Sequence, residues 1–184
     1  MEFITFLTVT APSPSQVEIG SFLVFAVPFI ILVFFGFVMF IHPPRAVLRV
    51  SLLSGLVVGI INIIFDLLAY YAHWWHYAIN GLIFNLPLPF YLTPLLIYGA
   101  VVYLLIWRFW HGRGHWFALV LLIGIPIFGF ARDLIGAITA STYLTWDSVL
   151  AGPLDFGMWV LMFYAGYVVF RRLAPTRKEA TLAK

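Results

Sequence analysis

Five nearly unbroken apolar runs divide the chain, each close to the twenty or so residues that cross the hydrocarbon core of a bilayer. They extend from Ser21 to about Ile41, from about Val47 to Tyr71, from about Pro89 to Trp110, from about Trp116 to Ile138 and from about Pro153 to Phe170. A backbone in lipid must satisfy its own hydrogen bonds, so runs of this length predict helices. The alternating ten-residue segments of a membrane β-barrel are absent. The pattern therefore predicts an all-α integral membrane protein with five transmembrane helices. Pro28, Pro94 and Pro126 fall inside spans and predict kinks.

Composition narrows the classes. The 184 residues are 64% hydrophobic and 9% charged, against about 25% charged in a soluble domain, and the mean hydropathy is +1.05. An ordinary water-soluble fold is excluded. There is no cysteine, which removes thiolate metal sites, iron–sulfur clusters, disulfides and cysteine nucleophiles. No cofactor is expected, and no metal.

The pI of about 9.3 raises nucleic acid as a partner, but the placement of the charges argues against it. Arg45 and Arg49 lie between the first and second runs, and Arg108 and Arg113 between the third and fourth. Arg171, Arg172, Arg177, Lys178 and Lys184 follow the fifth. These alternate ends hold nine of the ten Lys and Arg with one acid, Glu179, a net of +8. The opposite ends hold Glu2, Glu18, Asp66, Asp133, Asp147 and Asp155 against Arg132, a net of −5, and together they give the chain's +3. The positive-inside rule then puts the amino terminus outside and the carboxyl terminus in the cytoplasm, in the plasma membrane. Residues 1–20 read as an extracytoplasmic segment, which lacks the basic n-region of a signal peptide and is expected to stay on the mature protein. Residues 21–172 read as the bundle and 173–184 as a basic cytoplasmic tail able to meet anionic headgroups. Trp107, Trp110 and Trp116 flank the inner boundary. Trp74, Trp75, Tyr143 and Trp146 flank the outer one, as interfacial belts do, with Trp159 about a turn deeper.

Part of the sequence recurs. Phe65-Asp66-Leu67-Leu68 returns as Arg132-Asp133-Leu134-Ile135, Leu86-Pro87-Leu88-Pro89-Phe90 as Gly152-Pro153-Leu154-Asp155-Phe156, and Tyr98-Gly99-Ala100 as Tyr164-Ala165-Gly166. His42 and Gly55 match His111 and Gly124 at a slightly longer offset. Each unit, about 42–110 and 111–172, covers two spans, so both enter the membrane in the same direction. The expectation is two parallel two-helix repeats plus an N-terminal helix, with a cleft between the halves.

Charge inside a membrane is a functional hypothesis by default. At 100° per residue Asn62, Asp66, Tyr70, His73, Tyr77 and Asn80 fall on one helix face. Such a stripe must meet helices, water or a ligand. Alternatively the helix ends near Tyr71 and only Asn62 and Asp66 stay internal. Arg132 is the counter-charge, with Asp66, Asp133 or Asp147 as its partner. The outcome is either a structural ion pair or an acid–base site in which one carboxyl, Asp155 or Asp66, donates a proton to an alkene. Asp66, Asp133 and Asp155 are the candidate catalytic residues; Asn62, Tyr70, His73, Trp74, Tyr77 and Arg132 are candidate substrate contacts. His73 and His76 lack a metal-binding motif, and His111-Gly112-Arg113-Gly114-His115 lacks the context of a phosphate loop.

At the repeated elements the chain resembles the lycopene cyclase domain family of carotenoid biosynthesis. The first unit reads Asp66…Trp74-Trp75-His76-Tyr77…Gly81…Asn85-Leu86-Pro87-Leu88-Pro89-Phe90, and the second Asp133…Trp146…Gly152-Pro153-Leu154-Asp155-Phe156. The resemblance covers about Arg45 to Arg172. It implies a protein that binds or acts on an isoprenoid or carotenoid lipid by acid chemistry, as a cyclase or isomerase. That family's acidic pair stands here as Pro89-Phe90 and Asp155-Phe156, so only Asp155 remains as an acid. The alternatives are a non-catalytic subunit packed among partner chains of a larger membrane complex, and a small transporter.

Overall fold

The computed structural model describes residues 20, 22–79, 82–111, 113–139 and 144–175. The amino-terminal segment, Asn80, Gly81, Tyr143 and the basic tail beyond Pro175 lie outside the described residues. Among the described residues five helices are long and apolar enough to cross a membrane: α1 Leu23–Ile41, α2 Arg45–Tyr71, α3 Leu88–Phe109, α4 His115–Thr139 and α5 Ala151–Leu173. Two three-residue strands, β1 Trp75–Tyr77 and β2 Leu144–Trp146, join the set.

The helix ends follow local chemistry. α1 stops where His42 enters the left-handed region (φ 50°) and its N–H caps Val38 O at 2.9 Å. Pro43 and Pro44 then bar continuation. α2 stops at Tyr71, so the structure adopts the shorter of the two helices that the polar stripe allowed. His73 turns the chain with a positive φ of 54°, and the Trp74 N–H donates back to Ala69 O at 2.9 Å. The chain returns as β1, which pairs antiparallel with β2 in the register Trp75↔Trp146, His76↔Thr145, Tyr77↔Leu144. The described residues thus include a small clasp of sheet that the helical reading omits. The stripe is broken at His73 because that pairing satisfies the backbone once the helix has ended.

α2 buries a stripe of small and polar residues, among them Ser51, Ser54, Gly55, Gly59, Asn62 and Asp66. Small residues let membrane helices approach closely. A Cβ on Gly99 would stand 2.5 Å from Gly55 Cα, and one on Gly166 would meet Tyr103 Oη at 2.5 Å. The Ser51 and Ser54 hydroxyls donate to Leu48 O and Val50 O, each at 2.8 Å, and so enter the core satisfied. α2 and α4 each pack against both α3 and α5, while α1 lies along α3. α3 is the most buried of the five spans and α1 the least, which makes α3 the centre of the bundle and α1 its edge. α3 is composite, with a 3-10 turn at Leu88–Tyr91, a wide π-helical stretch at Thr93–Val101 and an α-helix at Val102–Phe109. Its Val101 to Ile106 segment is buried throughout. The order helix–strand–helix occurs twice along the chain, and the paired strands tie the two occurrences together at one end.

Candidate functional site

Asp66 lies near the end of α2, 2% exposed, with donors converging on it from three elements. From β1, Trp75 Nε1 donates to Oδ1 at 2.9 Å and the Tyr77 hydroxyl donates to Oδ2 at 2.8 Å. The Tyr91 hydroxyl, from the start of α3, donates to the same Oδ2 at 2.8 Å. Asn62 Nδ2, one turn back on α2, reaches Oδ2 and Met158 Sδ, both at 3.4 Å. This is a carboxylate held by charge-assisted hydrogen bonds from a donor-only shell. Desolvation pushes the Tyr77 phenol well above its ordinary value, and the negative charges of Asp66 and Asp133 act in the same direction. Tyr77 therefore stays a donor.

Asp133 is held differently. Arg132 Nε and Nη2 both donate to its Oδ1, at 2.9 and 2.7 Å, and Trp159 Nε1 donates to Oδ2 at 2.8 Å. The Arg132 guanidinium also lies 5.4 Å from the Trp159 ring and 5.9 Å from the Tyr98 ring, a cation–π arrangement that fixes its plane. Of the three partners that the sequence offers Arg132, the structure uses the adjacent one. Asp147 instead pairs with His76 Nδ1 at 2.8 Å, across the strand clasp. Gly129 on α4 makes the arrangement possible, since a Cβ there would run into the Trp159 ring.

Asp155, in the first turns of α5, is the exception. It is 2% exposed, and its Oδ2 has no hydrogen-bond partner among the described residues. It lies within electrostatic reach of Asp133, Asp66 and Arg132; Asp66 and Asp155 are buried, whereas Asp133 is partly exposed. Trp146 Nε1 is the other buried side-chain atom left without a partner among the described residues. Its indole packs on Gly152, one turn before Asp155, where a Cβ would lie 3.2 Å from the ring.

A cavity of about 60 Å³ opens beside Asp133, lined by Asn62, Tyr77, Tyr91, Arg132, Asp133 and Trp159, with Phe90, Thr93, Pro94 and Leu144; Asp133 is the one of the three aspartates that lines it. One water needs about 10–15 Å³ of such space, so the cavity takes a few waters or the tip of a larger molecule. A long polyene does not fit inside. Among the candidate contacts, the structure brings Asn62, Tyr77 and Arg132 to this cavity. Tyr70, half-buried against Tyr71, and Trp74, packed on Trp75, stand apart from it, and His73 is exposed. Tyr70 and His73 were expected from the helical stripe, which ends at Tyr71, and Trp74 was not on it.

Trp75, Tyr91, Trp159 and Tyr98 were not among the expected site residues. Trp75 reads in the sequence as an interfacial anchor, yet it is 1% exposed and serves Asp66. Among the described residues no group of three or more His, Asp or Glu could hold a metal ion. Comparison of the chain with protein-family models, with curated proteins and with solved structures finds no match.

Proposed function

We propose that this protein acts on the end of an isoprenoid-type lipid by acid–base chemistry, with Asp155 as the proton donor. The observation that carries the reading is the contrast among three neighbouring carboxyls. Asp66 and Asp133 have their oxygens filled by donors, whereas Asp155 Oδ2 is buried and unpaired. In this reading the unpaired carboxyl is the one that carries and delivers the proton, because no neighbouring donor occupies its Oδ2. In the proposed step the π pair of a terminal alkene takes the Asp155 proton, which forms a C–H bond and a tertiary carbocation. The Asp66 and Asp133 charges and the faces of Tyr91 and Trp159 stabilise that cation. Loss of a proton from a neighbouring carbon back to Asp155 restores the acid, so the product is a cyclised or shifted isomer of unchanged composition. The cavity at Asp133 has the size to take the chain end, with the remainder lying along the lipid-facing helices; Asp155 lies behind that lining, within electrostatic range of Asp133, so the reading requires the chain end to reach past the cavity wall. The likeness to lycopene cyclase domains points to a carotenoid as the chain.

The same reading orients the molecule. The aspartate end faces the extracytoplasmic side of the plasma membrane, and the arginine-rich end meets anionic headgroups in the cytoplasm. A second reading, a non-catalytic subunit among partner chains, is favoured by α1, which exposes Phe25, Phe29, Phe35 and Phe40 and packs little.

The test is incubation of the purified protein with an acyclic carotenoid in deuterated buffer. Acid catalysis predicts an isomeric product carrying solvent deuterium, and a loss of turnover of about a hundredfold or more in Asp155→Asn with folding retained. Unchanged product formation in that variant rules Asp155 out. Stoichiometric co-purification of other chains, with no isoprenoid bound and no turnover, favours the second reading.

A further inference from the structure

We infer that the crevice at the arginine-rich end, between the close of α3 and the close of α5, is a binding site for the phosphate of an anionic phospholipid. It measures about 290 Å³, and its walls include Ile106, Trp107, Trp110, His111, Phe170 and Arg171. The inference uses none of the aspartates and stands apart from the polyene chemistry. It requires only that this end of the bundle lie at headgroup level.

Charge selects the class of ligand. Among the described residues this end carries Arg45, Arg49, Arg108, Arg113, Arg171 and Arg172, while all four described aspartates lie at the other end. Arg171 is the cation placed at the crevice, and no carboxylate at this end competes for it among the described residues. Its guanidinium is already oriented, 5.2 Å from the Trp110 ring and 6.0 Å from the Tyr167 ring, with Nη1 donating to Tyr167 Oη at 3.4 Å. A guanidinium stacked in this way keeps its edge donors for an anion. Trp110 is also braced by His115, whose ring lies 5.1 Å away and whose Nδ1 is 2.7 Å from Trp110 O. Trp107 Nε1 donates to Pro175 O at 3.1 Å, which pins the chain leaving α5 along the crevice edge.

The floor selects the source of the phosphate. Ile106 and Phe170, each 2% exposed, give the crevice an apolar base beneath its cationic rim. A free phosphate ion would find no partner at that depth. A phospholipid has the matching gradient, with phosphate at the rim and glycerol and first methylenes below. Basic pockets between membrane helices bind acidic headgroups on this principle.

The test uses the full chain purified in a neutral detergent and examined by native mass spectrometry with phosphatidylglycerol or phosphatidylcholine of identical acyl chains. The expected result is retention of phosphatidylglycerol in preference to phosphatidylcholine. Arg171→Gln should weaken that retention roughly fivefold, the effect of one basic residue at the surface, and Arg113→Gln, at the same end but outside the crevice, should preserve it. Equal retention of the two lipids, an unaltered preference in Arg171→Gln, an equal loss in both variants, or displacement of the lipid by millimolar inorganic phosphate would each overturn the inference. A photoactivatable phosphatidylglycerol on the wild-type protein gives an answer that does not depend on any variant folding. Crosslinks confined to the ends of α3 and α5 support the site, and labelling spread evenly along the spans refutes it.

Discussion

Tyr77 and Tyr91 donate to the same oxygen of Asp66, each at 2.8 Å, one from within the connection between α2 and α3 and the other from the first turn of α3. One carboxylate oxygen thus gathers β1 and the start of α3 onto the end of α2. Trp75 holds the other oxygen from within β1. The acid acts here as the structural hub of the connection, and its chemistry as a proton donor is correspondingly blunted.

Removal of the hub should cost far more than removal of one spoke. Tyr91→Phe forfeits one hydrogen bond to a charged group, about 1.5–3 kcal/mol. Asp66→Asn places an amide donor against two phenols and should cost about 3–5 kcal/mol, as expected when one partner is removed from a buried charged network. Thermal unfolding followed by tryptophan fluorescence in detergent checks both. Equal midpoints for the two variants would refute the hub.

The Tyr77 phenol gives the fold an alkaline limit. Its pKa in the fold is raised well above the 10.0 of a free phenol, by desolvation first and by the Asp66 charge second. A raised value means that the folded state holds its proton more tightly than the unfolded state does. That stabilisation is complete below pH 10.0 and is lost as the pH rises from there through the folded-state value. Unfolding in alkali should therefore begin above pH 10.0, and Tyr77→Phe, less stable at neutral pH, should show a flatter decline. A pH titration of the unfolding midpoint in both proteins decides the point; parallel curves would remove Tyr77 from the account.

The five spans were legible because length and apolarity alone decide which segments cross a bilayer, and the boundaries moved by only a few residues. Asp66, Asp133, Asp155 and Arg132 were legible for the same reason, since charge at such positions stands out. Their partners were not. Trp75, Tyr91 and Trp159 look in sequence like belt or packing aromatics, and their donor roles arise only when three elements converge. β1 and β2 were hidden too, because three residues carry no periodicity and their partners lie about 70 positions away, as the His76–Asp147 pair does. Tyr70, His73 and Trp74 do not line the cavity, and the helical wheel that grouped His73 with Asp66 ends before the turn at the left-handed His73.

Gly129 should tolerate no side chain. A Cβ there collides with the Trp159 ring, whose Nε1 holds Asp133. Gly129→Ala should cost about 1–3 kcal/mol through overpacking. Trp159→Leu frees the space, so the double variant should be less destabilised than the sum of the two singles, a coupling that a thermodynamic cycle measures. Gly124→Ala is the matched control on the same helix, since its Cβ would meet nothing within 4 Å. Its midpoint should not move, and strict additivity of the Gly129 and Trp159 variants would deny the contact.

Asp155 offers the clearest separation of function from stability. A buried carboxyl oxygen without a partner is a cost that the fold carries. Replacement by an apolar group of similar shape removes the desolvation penalty and sacrifices no hydrogen bond, so Asp155→Leu should hold or raise the unfolding midpoint. The same exchange at Asp66, where four donors would lose their acceptor, should fail to give folded protein. A group retained at a cost to stability, within reach of two other carboxylates, is what an acid–base role predicts. Thermal scans of Asp155→Leu and Asp66→Leu, run beside the turnover assay, make the comparison directly. A marked fall in the Asp155→Leu midpoint would show that its carboxyl supports the fold, and it would join Asp66 as a structural group.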